Sequence, residues 1–207
     1  MTDIDLPYFS ARPASEPPWP GIVVIHEGGG ISGQLLRVCE RFASEGYATI
    51  APDLFFRAGG PEASDFMTLI QSLDDRTPAD IAKARAHLRN SGAHSVGITG
   101  FCMGGMLTYR TAISTPGFDA AVGFYGGGIV PSLGEPLCPT QLFFGGTDEY
   151  IPPADIEAVV AHHPTTIVYP NAGHGFMRDG SASYDEAAAT DAWARTLTFF
   201  GEHLRRA

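Results

Sequence analysis

Three side chains have the types and the places along the chain that acyl transfer needs: Cys102, Asp148 and His174. Cys102 sits in GITGFCMGGM, where Gly100-Phe101-Cys102-Met103-Gly104 has the form GxSxG with sulfur in place of oxygen. Glycines two residues to either side let a strand and a helix approach closely around a strained nucleophile. At the start of a helix, unpaired N–H groups and the helix dipole favour a thiolate. A thiol nucleophile needs a base, and the base needs a group to orient it. TQLFFGGTDEY supplies Asp148 just past an apolar run, and TTIVYPNAGHGF supplies His174 after the next. The bland alternative is a buried cysteine beside a tight turn, a turn-capping aspartate and a loop histidine.

These residues work only if strand ends present them, and the sequence alternates accordingly. GIVVIHE (21–27), YATIAPDLF (47–55), SVGIT (95–99), AAVGFY, TQLFFG and TTIVYP read as short, buried strands. Helical spacing fills the segments between them: 31–45, a weaker 61–73, 77–90 with Thr77, Pro78 and Asp80 as its cap and first turn, 103–114, 154–162, and a last helix from about Tyr184. In that last helix Trp193, Leu197, Phe200 and Leu204 form a core-facing stripe. Continuous apolar strands between amphipathic helices mean an α/β fold with a mostly parallel central sheet covered on both faces. The order nucleophile, acid, histidine is that of the α/β-hydrolase fold.

Composition narrows the class. A chain of 207 residues with 44% hydrophobic residues suits one domain, with the proline-rich residues 1–20 as an extended lead-in that has room for an edge strand. A net charge of -10 argues against nucleic acid or anionic membrane as a partner, so an anionic small substrate would need local arginines. Three scattered cysteines, Cys39, Cys102 and Cys138, make no disulfide framework and fit a reducing cytoplasm. No segment has the length of a membrane span, and no HxH or CxxC cluster offers a metal site. Of the seven histidines, His87, His94, His162, His163 and His203 read as solvated, and His26 as structural at a strand end.

The segments GFCMGG, GGTDEYIP and AGHGF resemble the nucleophile, aspartate and histidine segments of the dienelactone hydrolases, cysteine-dependent members of the α/β-hydrolase fold. The resemblance runs from about Gly21 to the C-terminus. It implies Cys102, Asp148 and His174 as a triad, and Glu27 of VVIHEGGG as the glutamate that contacts the resting thiol. It also implies two arginines for a substrate carboxylate, Arg57 in APDLFFR and Arg178 in GHGFMR; a guanidinium fork matches a carboxylate. Three glycines after Glu27, and the lack of tyrosine and tryptophan in RAGGPEASDFMTLI, depart from the family pattern.

The implied chemistry opens a lactone or ester through a cysteine thioester, dienelactone to maleylacetate first among the substrates, in a monomer or small homo-oligomer that needs no cofactor. The N–H groups of Met103 and Gly28 would hold the oxyanion. Other readings compete. One is a broader cysteine esterase or lactonase of the same fold. Another is a non-enzymatic thiol switch at Cys102. A third takes Gly28, Gly30 and Gly33 of GGGISG, with Asp53 some way on, as the dinucleotide loop of a nicotinamide-dependent oxidoreductase. Glu27 beside a pyrophosphate argues against that last reading, which also leaves Cys102, Asp148 and His174 idle.

Overall fold

The computed structural model describes residues 4–205. Seven strands form one sheet: β1 (Tyr8–Ala11), β2 (Trp19–Ile25), β3 (Ala48–Pro52), β4 (Ala93–Phe101), β5 (Ala120–Phe124), β6 (Thr140–Gly145) and β7 (Ile167–Tyr169). Their order across the sheet is β1-β3-β2-β4-β5-β6-β7, and every pairing is parallel except β1 with β3. The lead-in therefore supplies the antiparallel edge, with Tyr8 opposite Pro52 and Ala11 opposite Thr49. Among the described residues there are six α-helices, α1 (Gly33–Ser44), α2 (Phe66–Gln71), α3 (Thr77–Asn90), α4 (Met103–Ser114), α5 (Pro153–His162) and α6 (Glu186–Leu204), and two short 3-10 turns, Phe56–Ala58 and Val130–Ser132. This is an α/β-hydrolase fold. Among the described residues no helix is long and apolar enough to cross a membrane.

The run Ile22-Val23-Val24-Ile25 explains why the sheet is covered twice, since all four side chains are fully buried. Successive strand residues point to opposite faces. Ile22 and Val24 pack in one cluster with Leu35, Cys39 and Phe42 of α1 and Phe200 and Leu204 of α6. Val23 and Ile25 pack in a second with Ile81, Ala84 and Leu88 of α3 and Leu107 and Ala112 of α4. The α6 stripe is core, and truncating Phe200 there would cost about 3–5 kcal/mol.

The start of α3 falls where the sequence puts it, with Pro78 and Asp80 in its first turn, but the cap lies one residue earlier than Thr77. Arg76 is its N-cap residue and makes no side-chain cap bond. Asp80, in that first turn, is 2% exposed, and its carboxylate accepts Arg57 Nη1 at 2.5 Å and Nη2 at 3.1 Å. A buried carboxylate is stable only with charged hydrogen-bond donors around it, and Arg57 supplies them here. His163 also departs from a solvated role, because its Nε2 lies 2.8 Å from the hydroxyl of buried Tyr109.

Candidate active site

Every parallel strand except β3 delivers a side chain of one cluster from its C-terminal end: Glu27 after β2, Cys102 after β4, Tyr125 after β5, Asp148 after β6 and His174 after β7. That edge of an open α/β sheet is where such folds build their sites.

Cys102 occupies the single residue between β4 and α4, with φ 55° and ψ -119°. A side chain held there costs about 1–3 kcal/mol, which the surroundings must offset. They do so by close packing. The Cys102 N–H donates to Phe124 O at 3.0 Å, and its carbonyl accepts the Met106 N–H at 3.1 Å. A Cβ on Gly100 would lie 2.2 Å from Gly104 O, and one on Gly104 would lie 2.4 Å from Ile25 O. The two glycines of the motif are thus required by backbone approach.

His174 bridges the rest. Its Nδ1 donates to Asp148 Oδ2 at 2.8 Å; the imidazole is 9% exposed and the carboxylate fully buried. The other Asp148 oxygen accepts the N–H groups of Tyr150 and Ile151 at 2.8 and 3.1 Å, which fixes the carboxylate. With Nδ1 committed, Nε2 is the nitrogen left for Cys102. Burial opposes a charged His174, but hydrogen bonding to Asp148, then hydrogen bonding to and attraction by Cys102, raise its pKa to about 9. The histidine therefore carries its proton at neutral pH.

Glu27 lies at this edge, but no hydrogen bond joins it to Cys102. Its Oε2 accepts Arg178 Nε at 2.6 Å and its Oε1 accepts the Tyr125 hydroxyl at 3.3 Å. Tyr125 has φ 38° and a fully buried ring, and burial followed by the charge of Glu27 raises its pKa well above the ordinary value, so it stays a neutral donor. Arg178 Nη1 and Nη2 make no hydrogen bond among the described residues, and the side chain is 32% exposed. The cluster thus offers a free guanidinium edge beside the cysteine.

Arg57 is not brought there. Its guanidinium is held by Asp80 and packs 4.4 Å over the Phe56 ring. The reason is topological: Arg57 follows β3, on the far side of β2 from β4, and the nearest buried carboxylate captures it. Met103 begins α4, where its N–H has no intrahelical acceptor. Gly28 lies inside the turn closed by Gly30 N–H to Glu27 O at 3.0 Å. That turn also tightens the triple-glycine segment. His26 is fully buried; its Nε2 accepts the Leu54 N–H at 3.1 Å and its Nδ1 donates to Glu27 O at 2.7 Å. Burial lowers its pKa, so it is a neutral brace between the ends of β2 and β3.

Two aromatic rings flank His174. Tyr125 on the buried side and Tyr150 on the open side each lie 5.0 Å from the imidazole, both near edge-on. Sequence reasoning overlooked both. AAVGFY made Tyr125 a strand end, and nothing local marks Tyr150 beyond its place two residues after Asp148.

An α/β-hydrolase sheet with a cysteine at the strand-to-helix turn defines the class, and comparison with known proteins narrows it. Residues 6–204 match the dienelactone hydrolase family, and the chain belongs to that family of hydrolases. A Salmonella typhimurium protein named "Putative carboxymethylenebutenolidase" is 35% identical, over 96% of this chain and 83% of its own. A Synechocystis protein of the same name is 33% identical, over 95% and 92%. The crystal structure titled "Putative Dienelactone Hydrolase" from Klebsiella pneumoniae superposes with a TM-score of 0.84 at 33% identity, covering 95% of this chain and 93% of that one. Neither the family nor the fold supports the dinucleotide reading of GGGISG, which forms the Glu27 turn instead.

Proposed function

We propose that this protein hydrolyses a carboxylated lactone or enol ester through a thioester on Cys102, with dienelactone as the leading substrate. The observation that carries the reading is the position of His174, hydrogen-bonded to Asp148 on one side and within reach of Cys102 on the other. The free edge of Arg178 takes the substrate carboxylate. The Cys102 thiolate attacks the carbonyl carbon, and the N–H groups of Met103 and Gly28 hold the oxyanion; each such donor is worth about 10²- to 10³-fold in rate. Collapse breaks the ring carbon–oxygen bond, and the leaving oxygen takes the proton from His174. Once sulfur is acylated, the Cys102 share of what raises the His174 pKa is gone and the Asp148 share remains. The neutral imidazole then removes a proton from water as it attacks the thioester, and thiolate and imidazolium are restored. A thiolate nucleophile suits a reducing compartment such as the cytoplasm.

A broader ester range has one observation in its favour. Arg57 is engaged by Asp80, which leaves Arg178 as the one of the two arginines proposed to meet a carboxylate. Steady-state hydrolysis of dienelactone and of a neutral p-nitrophenyl ester, by wild type and Cys102→Ala, separates the cases. Dienelactone turnover lost in the variant supports the full reading. Cleavage of the neutral ester alone, through Cys102, keeps the nucleophile and removes the carboxylated substrate.

A further inference from the structure

Among the described residues Tyr150 is the most exposed large hydrophobic side chain, at 77%, yet it is among the best positioned. Its N–H donates at 2.8 Å to the Asp148 carboxylate that also orients His174. Its ring meets the imidazole at 5.0 Å and 68°, so an edge contact is made and a ring face stays open. The other ring against His174, Tyr125, is fully buried and tied to Glu27, so it offers no open face. A group near the histidine therefore finds Tyr150 on its solvent side.

The chemistry fixes which group that is. If His174 protonates the leaving oxygen, that oxygen must come within about 2.6–3.2 Å of Nε2. Whatever the oxygen carries then falls within about a ring's width of Tyr150. An exposed aromatic face attracts a planar conjugated group more than a saturated one of similar size, by stacking geometry that a saturated chain cannot adopt.

We infer that Tyr150 determines specificity on the leaving-group side, its ring forming the wall against which a planar enol or aryl leaving group packs. The inference rests on the thioester reading, in which His174 serves the leaving oxygen. It also supplies a tyrosine ring, where the segment after Arg57 has neither tyrosine nor tryptophan.

The test compares kcat/KM for phenyl acetate and trifluoroethyl acetate, two activated esters of which one has a planar leaving group. In Tyr150→Leu, which keeps bulk and loses the ring, the phenyl-to-trifluoroethyl ratio should fall about fivefold. In Tyr150→Phe the ratio should hold, and the pH profile of both variants should match the wild type. A ratio unchanged in Tyr150→Leu overturns the wall, and so does a ratio lost equally in Tyr150→Phe. A shifted pH profile overturns it too, because Tyr150 would then act through His174. Cys102→Ala is run beside them. Hydrolysis that survives it overturns the thioester reading and the wall together, whereas Cys102-dependent hydrolysis with an unchanged ratio overturns the wall alone.

Discussion

His174 Nδ1 lies 2.8 Å from Asp148 Oδ2, while the other oxygen of that carboxylate holds the chain at Tyr150 and Ile151. One buried group thus sets both the imidazole tautomer and the loop beside it. In Asp148→Asn the side-chain oxygen can still accept the loop N–H groups, but the amide no longer favours the imidazolium. The expected outcome is a fall in kcat of about 10³- to 10⁴-fold with little loss of stability. Steady-state kinetics with a p-nitrophenyl ester, and urea unfolding of the same variant, check both halves.

The proton on His174 also makes stability depend on pH. Its pKa rises from 6.5 to about 9 on folding. A raised pKa means the folded state binds the proton more tightly, so the stabilisation is complete below pH 6.5 and is lost as pH climbs through about 9. Urea midpoints of the wild type should decline over that window. His174→Gln, which has nothing to titrate there, should decline less; parallel curves would show that the proton is not held as described.

The two arginines should part company. Arg178→Ala is expected to raise KM for a carboxylated lactone at least tenfold more than for a neutral ester, since its free edge meets the carboxylate. Arg57→Ala should leave that discrimination unaltered and lower the urea midpoint, because it strips two donors from the buried Asp80 carboxylate. Kinetics with paired substrates, together with urea unfolding, distinguish a binding arginine from a structural one.

The difference between those arginines shows where sequence reading stops. Ile22 to Ile25, the α6 stripe and the glycines around Cys102 were legible because strand burial, helical spacing and backbone approach leave their mark within a few residues. The pairing of Arg57 with Asp80, 23 residues apart, leaves none, and the same aspartate reads locally as part of a helix start. Tyr109 and His163 meet across 54 residues, with equally little local trace. Tyr125 takes a positive φ that glycine usually occupies, with its N–H on Phe143 O of β6 at 2.7 Å, a contact across 18 residues that leaves no local trace.

Gly104→Ala probes the backbone approach around Cys102 directly. The added Cβ would lie 2.4 Å from Ile25 O and 2.7 Å from His26 O, both backbone atoms that cannot move without shifting β2. A loss of about 3 kcal/mol or more is expected. Gly29→Ala, where nothing lies within 4 Å of the added carbon, is the control and should cost far less. Thermal unfolding of the two variants makes the comparison.

The most direct measurement is the mass of the protein itself during turnover of a slowly deacylated aryl ester, quenched in acid. A species heavier by the acyl group is expected, mapped to Cys102, released by hydroxylamine and absent from Cys102→Ala. Turnover at an undiminished rate in Cys102→Ala, with no acyl adduct on the wild type, would contradict a thioester on Cys102.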